Sequence, residues 1–296
     1  MRCLLMVAML LVASVASADT LVDKLQDVSV TIKSGYGQGS GVMFNREVDG
    51  ETVTYIWTAG HVVDNLRVTR DIIVGGNKKT VVEFKDAEIV QEFRQDGRRI
   101  GEMKMDARVV RFSDAEQGED LALLEVRKRN FVPADQTIVF YDGGVPDLGT
   151  ELYHVGSLLG QFGANSLTTG VVSQVGRVIT FGANPVVFDQ TTVTAFPGSS
   201  GGGVFLKDDG RYIGMLVRGA GEQFNLIVPA RRLRSWAKQA NIEWAVDASV
   251  PMPTKAELDK LPIEDSAAPG SILPTAPSPS ELEFPYLLKV IDPYPA

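Results

Sequence analysis

Apolar and polar residues alternate along much of the chain between residues 25 and 245, which is the pattern of β-strands with one buried face. The alternation is clear at residues 28–32, 53–57 and 186–188. Residues 121–126 form a nearly continuous apolar run instead, which is typical of a strand buried on both faces. Many short strands of this kind predict an all-β barrel or sandwich.

Turns and one helix complete the pattern. Glycine-rich turns separate the predicted strands at residues 35–39, 75–76 and 201–203. A short C-terminal helix is predicted at residues 230–240, because Leu233, Trp236 and Ala237 recur on one helical face. The sequence therefore predicts an all-β domain that ends in a single helix.

A change of composition near residue 248 marks the end of this domain. Ten of the 15 prolines fall between residues 251 and 295. Such a composition buries too little apolar surface to order itself, so residues 249–296 are predicted to be a Pro-rich, largely disordered tail. Within it, residues 249–280 are predicted to be a flexible linker. Residues 284–291 concentrate apolar side chains and are predicted to dock on this protein or on a partner, with a loosely ordered terminus as the alternative.

The first 18 residues have the features of an export signal. Arg2 gives a basic start, residues 4–12 are apolar, and residues 16–18 read A-S-A, a small-x-small cleavage pattern. The apolar run is too short to span a bilayer, so no membrane span is predicted. We therefore expect an exported protein, periplasmic or secreted after cleavage near Ala18, with one large globular domain at residues 19–248.

Charge and cysteine content exclude several classes of function. The formal net charge of the full chain is −8, and no dense run of Lys or Arg is present, which argues against a nucleic-acid partner. The only cysteine, Cys3, lies in the predicted signal. The cleaved chain would therefore have no disulfide, no cysteine nucleophile and no thiolate metal site, and we expect neither metal nor cofactor.

Three short motifs carry the candidate chemistry. They read W-T-A-G-H-V-V at residues 57–63, G-E-D-L-A-L-L at 118–124 and P-G-S-S-G-G-G at 197–203. Each alone has an ordinary explanation: a structural histidine at a strand end, a solvated acid opening a strand, or a flexible turn. Together they supply a serine, an imidazole and a carboxylate, which is the set of groups that nucleophilic acyl transfer needs.

Each residue type has a defined role in that chemistry. Ser200 would be the nucleophile, and His61 would accept its proton near neutral pH. Asp120 would hold the imidazole in the right tautomer and stabilise its cation. The backbone N–H groups of Gly198 and Ser200 would form the oxyanion hole, and the following glycines would allow the substrate backbone to approach.

The order and flanks of these motifs resemble the chymotrypsin fold, in its bacterial HtrA (Deg) branch. That family carries T-N-x-H-V, S-D-I-A-L-L and G-N-S-G-G where this chain has T-A-G-H-V, E-D-L-A-L-L and G-S-S-G-G. Three further stretches resemble family strands, at residues 39–42, 168–173 and 210–215. The resemblance covers roughly residues 28–235.

The resemblance implies two packed six-stranded antiparallel β-barrels, the first at about residues 25–130 and the second at about 135–245. The triad would lie in the cleft between them. The implied function is a serine endopeptidase that hydrolyses polypeptides through an acyl-enzyme intermediate. By the family pattern, the residues that line the primary specificity pocket are Thr194, Val217, Arg218, Gly219 and Asn225. None is acidic, so a small or medium apolar residue is expected there, while Arg218 either favours an acidic residue or is an exposed strand charge.

Three departures from the family pattern stand out. Ser199 replaces the usual Asn or Asp before the nucleophile, which argues against activation by a new N-terminus. The gap between His61 and Asp120 is longer than usual, and the charged residues 83–105 are predicted to form a protruding hairpin in this gap. The tail is also too short for the family's PDZ domain.

Other functions remain open at the level of sequence. The chain could be a binding protein on the same fold whose catalysis is gated or lost, or an esterase, because acyl-enzyme chemistry also cleaves esters. An α/β-hydrolase is disfavoured, because its serine precedes its histidine. The second histidine, His154, is predicted to be structural, because two separated histidines are too few for a zinc site.

Overall fold

The computed structural model describes residues 20–95, 97–131, 137–181, 184–219 and 223–265. The predicted export signal at residues 1–18 and the predicted docking segment at 284–291 lie outside these ranges. Within the described ranges, no helix is long and apolar enough to cross a membrane.

The described residues in the first half of the chain form eight strands. They are β1 (Ser29–Ser34), β2 (Gly37–Val48), β3 (Glu51–Thr58), β4 (Arg67–Val74), β5 (Asn77–Phe84), β6 (Ala87–Gln95), β7 (Arg98–Ser113) and β8 (Leu121–Val126). Six of them close into an antiparallel barrel in the order β1-β2-β3-β8-β7-β6. The apolar run at residues 121–126 is buried at every position, as its sequence predicts. Closure leaves no free edge in this sheet.

The second half forms another closed barrel. Its strands are β9 (Glu151–Leu158), β10 (Gly163–Phe181), β11 (Asn184–Thr191), β12 (Gly203–Leu206), β13 (Tyr212–Gly219) and β14 (Asn225–Pro229), in the order β10-β11-β14-β13-β12-β9. The long β10 pairs with β9 through its first half and with β11 through its second. The predicted all-β fold of two six-stranded antiparallel barrels is confirmed.

Within the described ranges, four α-helices accompany the barrels. They are α1 (Leu21–Asp27), α2 (Gly60–Val63), α3 (Ala230–Gln239) and α4 (Lys255–Leu258). The predicted C-terminal helix corresponds to α3, and its residues Leu233, Trp236 and Ala237 are buried. Single 3-10 turns occur at Asp64–Leu66, Gly160–Phe162 and Glu243–Ala245.

The protruding hairpin lies earlier in the chain than its predicted position. Strands β4 and β5 form a two-stranded sheet outside both barrels, and most of their side chains are exposed. Most of residues 83–105 instead belongs to β6 and β7 of the first barrel, where Ala87, Ile89 and Val90 are buried. Strands β6 and β7 do pair as a hairpin, up to Gln95 and Arg98, so the prediction for residues 83–105 is wrong in placing this hairpin outside the barrel. The apolar positions at its base alternate within a mostly charged sequence and face the core.

Residues 249–265, called here the C-terminal segment, pack on the first barrel. The N–H of Phe112 in β7 donates to Ile263 at 2.8 Å, and the N–H of Asp265 donates to Phe112 at 3.1 Å. The side chains of Leu258, Leu261 and Ile263 pack against the core. The predicted flexible linker is therefore wrong for residues 249–265, because apolar side chains placed between the prolines reach the barrel.

Candidate active site

The pairing of β3 with β8 brings His61 and Asp120 together. Thr58 at the end of β3 pairs with Ala122 near the start of β8. His61 follows Thr58 by three residues and Asp120 precedes Ala122 by two, so the antiparallel register places both at the same end of this strand pair. Two motifs that are far apart in the sequence therefore meet through one strand pair.

The glycine before His61 allows this close approach. A Cβ atom on Gly60 would lie 2.4 Å from the carbonyl oxygen of Ser113 and 3.2 Å from the backbone nitrogen of Leu121. No side chain fits at that distance, so the backbone of α2 packs directly on the loop between β7 and β8. The motif A-G-H-V thus needs its glycine for packing.

Asp120 is buried, and both oxygens of its carboxylate contact His61. The Oδ1 and Oδ2 atoms lie 2.9 and 3.0 Å from Nδ1 of His61, and the backbone N–H of His61 donates to Oδ1 at 3.0 Å. With Nδ1 donating to the carboxylate, Nε2 of His61 is the acceptor nitrogen. Asp120 has a positive φ of 55°, a conformation that Asp tolerates better than most residues.

Two opposing effects set the pKa of Asp120. Burial raises it, but the hydrogen bonds and the charge of His61, together with the Arg218 guanidinium, outweigh burial and lower the pKa below its ordinary value. Nη2 of Arg218 lies 3.9 Å from Oδ2 of Asp120. The carboxylate therefore stays ionised at neutral pH, as a group that orients an imidazole must.

Arg232 on α3 fixes the residue next to Asp120. Its guanidinium is buried, forms an ion pair with the carboxylate of Glu119 and donates to the carbonyl oxygen of Glu119 at 2.7 Å. It also lies over the ring of Phe188, 4.9 Å from the centroid. Arg232 on α3 thus fixes both the backbone and the side chain of Glu119, the residue before Asp120. The sequence analysis did not identify this contact.

Ser200 lies in a tight turn before β12 whose shape depends on two glycines. Gly198 has a φ of 94°, and a Cβ there would lie 2.4 Å from the carbonyl oxygen of Ser157. Gly201 has a φ of 88°, and a Cβ there would lie 2.1 Å from the carbonyl oxygen of Ser40. Both positions exclude side chains by conformation and by space. The turn is anchored on β13, because Gly201 donates to Leu216 at 2.8 Å.

The peptide groups of this turn leave two donors open. The carbonyl oxygen of Pro197 accepts from the N–H of Leu159 at 2.7 Å. In a trans peptide the N–H points opposite to the carbonyl, so the N–H of Gly198 points away from Leu159. In the described part of the chain, the N–H groups of Gly198 and Ser200 donate to no protein acceptor. These are the two donors expected to form an oxyanion hole.

Ser200 and the residue after His61 come from different barrels and both approach Gly39 at the start of β2. A Cβ on Gly39 would touch both the side chain of Val62, next to His61, and the carbonyl oxygen of Ser200. The Ser200 hydroxyl donates to the carbonyl oxygen of Val217 at a long 3.4 Å. No hydrogen bond joins it to His61 among the described residues. Such bonds are often absent before substrate binds.

The predicted pocket residues take different places. Val217 is buried and lies beside Ser200, while Thr194 is exposed and its carbonyl accepts from Thr168 at 3.4 Å. Asn225 is buried, donates to Val193 at 2.6 Å and leaves no room for a side chain at Gly219. Arg218 is not an unpaired charge on the strand, because its guanidinium pairs with the carboxylate of Asp120.

His154 lies inside the second barrel. It is fully buried, and its Nδ1 lies 3.0 Å from the carbonyl oxygen of Gly203. Burial lowers its pKa to about 4, so it is neutral at physiological pH. Within the described ranges, no group of three or more His, Cys, Asp or Glu could hold a metal ion.

Comparisons with known proteins agree with this architecture. The structure of Deg5 has a TM-score of 0.52 and 19% identity, covering 73% of this chain and 89% of its own. The serine endoprotease from Yersinia pestis has a TM-score of 0.50 and 18% identity, covering 76% of this chain and 68% of its own. At these identities the likeness concerns the fold. No curated protein matches the chain.

A family model decides the relationship. The model of the trypsin-like peptidase domain matches residues 39–215, which is more than half of the chain and includes His61, Asp120 and Ser200. The chain therefore belongs to the trypsin-like peptidase domain family.

Proposed function

We propose that the chain is a serine endopeptidase that hydrolyses polypeptides, with Ser200 as nucleophile, His61 as general base and Asp120 as the group that orients it. The observation that carries this proposal is the buried Asp120 carboxylate, which holds Nδ1 of His61 at 2.9 Å at the end of the β3–β8 strand pair. This contact turns Nε2 of His61 into the proton acceptor.

The reaction would proceed in two halves. Oγ of Ser200 bonds to the substrate carbonyl carbon while its proton passes to Nε2 of His61. The carbonyl oxygen becomes negative and is stabilised by the N–H groups of Gly198 and Ser200. The C–N bond then breaks, and the proton on His61 moves to the departing amine. Water attacks the resulting ester by the same route, giving the acid product and free Ser200.

The pocket residues indicate substrate preference. None of Thr194, Val217 and Asn225 carries a charge, so a small or medium apolar side chain is the proposed preference at the primary pocket. Arg218 is held by Asp120, so we assign it to the electrostatics of the triad before any contact with substrate.

Labelling by a fluorophosphonate tests the proposal. The probe reacts with an activated serine, so we expect it to modify Ser200 of the folded protein and to be lost in Ser200→Ala. The control Ser173→Ala, a serine of β10, should label like the wild type. Labelling that survives in Ser200→Ala would contradict the assignment.

A gated or inactive binding protein is the second candidate. It is favoured by one observation, the bond from the Ser200 hydroxyl to Val217, in place of one to His61. In that case the folded wild-type protein would not react with the probe and would not cleave casein. Both results together would replace the enzyme proposal with this one.

We also propose export, on the strength of residues 1–18. The purified protein from a secreting host should then begin at Asp19 on N-terminal sequencing. An intact Met1 in the exported fraction would contradict this.

A further inference from the structure

The turn between β9 and β10, residues 159–162, lies directly on the glycine of the proposed oxyanion hole. The N–H of Leu159 donates to the carbonyl oxygen of Pro197 at 2.7 Å. A Cβ on Gly198 would lie 2.5 Å from the backbone nitrogen of Gly160. The β9–β10 turn and the peptide group between Pro197 and Gly198 are therefore in contact through backbone atoms.

The orientation of the Pro197–Gly198 peptide depends on this contact. Turning the peptide over changes φ of Gly198, and glycine accepts φ of either sign. The carbonyl oxygen of Pro197 would then face the substrate oxyanion, where the N–H of Gly198 is needed. Ser40 holds only the next peptide, through the carbonyl oxygen of Gly198. In the part of the chain that the structure describes, the bond from Leu159 is the only one that the Pro197 carbonyl accepts.

Leu159 makes this bond from a strained conformation. Its φ of 62° and ψ of 34° lie in the left-handed region, which is unfavourable for a bulky L-residue. The side chain is 55% exposed, so its packing does not explain the conformation. Turning over the peptide between Leu158 and Leu159 would bring φ back to negative values, but it would also direct the N–H away from Pro197. The left-handed conformation and the bond to Pro197 therefore occur together.

The first barrel holds the turn in this shape. The backbone N–H of Gln161 donates to Oε1 of Gln38 in β2 at 2.7 Å, and its side-chain Nε2 donates to Glu102 in β7 at 2.8 Å. A strained residue persists only where its surroundings fix it, and such residues concentrate at functional sites. The turn thus connects the first barrel to the turn that carries Ser200.

We propose that Leu159 is a positioning residue whose left-handed backbone keeps the N–H of Gly198 directed at the substrate oxyanion. A return of Leu159 to negative φ releases the Pro197 carbonyl and closes the oxyanion hole. The inference rests on the proposed function, in which Ser200 is the nucleophile. It implies that the conformational preference at position 159, and not the contacts of its side chain, sets the rate of acylation.

A matched pair of variants separates preference from contacts. Leu159→Asn and Leu159→Thr both remove the apolar side chain and introduce polar ones of similar size. Asn adopts the left-handed conformation readily, whereas β-branched Thr is stiff and does not. In the full-length protein, a fluorophosphonate should label Leu159→Thr about tenfold more slowly than Leu159→Asn, as expected from the cost of this conformation. Leu159→Gly should label at the rate of Leu159→Asn or faster.

Steady-state kinetics and a distant control test the positioning role. For a peptide substrate, kcat should follow the same order as labelling while KM changes little. Asn241 is also left-handed, with a φ of 57°, and lies exposed after helix α3. Asn241→Thr should lower the melting temperature without slowing labelling. Equal labelling of Leu159→Asn and Leu159→Thr, or an equal loss in Asn241→Thr, would overturn the proposal.

Hydrogen exchange tests the same contact without catalysis. In the Ser200→Ala protein, the amide at position 159 should exchange slowly, because it donates to Pro197. Adding Leu159→Thr should speed this exchange about tenfold, and adding Leu159→Asn should not. Absence of labelling in the wild type would contradict the enzyme proposal alone, since exchange is measured in a protein without the nucleophile. Fast exchange of this amide in Ser200→Ala would show that the bond to Pro197 does not form, and would overturn the inference.

Discussion

At the scale of single residues, Ser40 joins the parts of the site that come from different barrels. Its hydroxyl donates to the carbonyl oxygen of Gly198 and accepts from the N–H of Ser157, each at 2.7 Å. Its own backbone N–H donates to the carbonyl oxygen of Ser200, also at 2.7 Å. The sequence shows Ser40 only as part of a glycine-rich strand start. Its contacts are to residues more than 100 positions away, which no local pattern contains.

We expect Ser40→Ala to reduce the rate of Ser200 acylation by about ten- to a hundredfold. The substitution leaves the Gly198 carbonyl and the Ser157 N–H buried without partners, a cost of about 1–3 kcal/mol that allows the turn that carries Ser200 to shift. The measurement is the rate of fluorophosphonate labelling. A positioning role predicts that kcat falls more than KM rises for a peptide substrate.

A second buried serine provides the control. Ser29 is equally buried, and its hydroxyl donates to Leu25 at 2.8 Å, away from the site. Ser29→Ala should lower stability to a similar degree without slowing acylation at a temperature where both variants are folded. Equal acylation rates in Ser40→Ala and Ser29→Ala would show that Ser40 contributes to stability only and does not position the site.

His154 makes the stability of the fold dependent on pH. Its pKa is about 4 in the folded protein, against about 6.5 in the unfolded chain, because burial disfavours the charged ring. Between these values the unfolded chain binds the extra proton. The contribution of His154 to the free energy of unfolding is therefore at its maximum above about pH 6.5. It decreases as the pH falls towards 4, by a total of about 3 kcal/mol.

We expect His154→Gln to flatten this part of the stability profile. The variant has no group at this position that titrates between pH 4 and 6.5, so its free energy of unfolding should decrease less steeply with acidification, whatever its value at pH 7. Urea unfolding at several pH values measures both slopes. Parallel profiles for the two proteins would show that His154 is not the source of the dependence.

At the scale of elements, the C-terminal segment shows where composition misleads. Proline density is an average over residues 249–296, whereas the packing of residues 249–265 on the first barrel depends on a few side chains at particular positions. Leu258, Leu261 and Ile263 reach the barrel, and Nε1 of Trp236 donates to Asp265 at 2.8 Å. Averages over a long stretch cannot reveal such contacts, and the bridge to Phe112 joins residues about 150 positions apart.

Truncation tests the contribution of the C-terminal segment. We compare a chain that ends at Ala248 with one that ends at Asp265, since both lack residues 266–296. The shorter chain loses the apolar contacts of the segment and exposes Trp236, so its melting temperature should be lower by about 5 °C or more. Fluorophosphonate labelling of Ser200 should persist in both chains at low temperature. Equal melting temperatures would mean that the segment adds no stability.

The extra hairpin shows a related limit at this scale. The unusual number of residues between His61 and Asp120 is visible in the sequence. The high density of charged residues at 83–105 led us to predict the additional hairpin there. The exposed hairpin is β4–β5, whose residues Ile73 and Val74 are apolar and yet exposed. Which strands close a barrel depends on pairing with partners elsewhere, for example β6 with β1. Local composition does not contain that information.

At the scale of the whole molecule, the architecture could be predicted because several signals agreed. The alternation of apolar residues gave the strands, and the ordered motifs gave the resemblance to a two-barrel fold. The same motifs pointed to His61 and Asp120, which the strand register then brings together. Arg232 could not be found in this way, because its partner Glu119 is 113 positions away in the chain. Long-range ion pairs of this kind leave no periodic signal.

The core of the molecule is continuous across the two barrels. One cluster of buried residues includes Ile32 and Leu123 of the first barrel and Val155 and Phe205 of the second. Helix α3 extends the cluster, since Trp236 stacks edge-on against Trp57 of the first barrel with ring centroids 5.9 Å apart. Neither barrel can therefore open without exposing apolar surface of the other.

We therefore expect the two barrels to unfold together, in a single transition. Two of the three tryptophans, Trp57 and Trp244, report on the first barrel, because Trp57 lies in β3 and Trp244 packs on Tyr55. Trp236 reports on the junction, because it stacks on Trp57 from α3, which packs on β13 and β14. Far-ultraviolet circular dichroism reports on the strands of both barrels. The two signals should have coincident midpoints in urea, and the calorimetric and van't Hoff enthalpies should agree. Independent barrels would instead give a fluorescence transition that precedes or follows the dichroism signal. That result would mean that the shared cluster does not couple them, and that His61 and Ser200 can be separated by partial unfolding while one barrel stays intact.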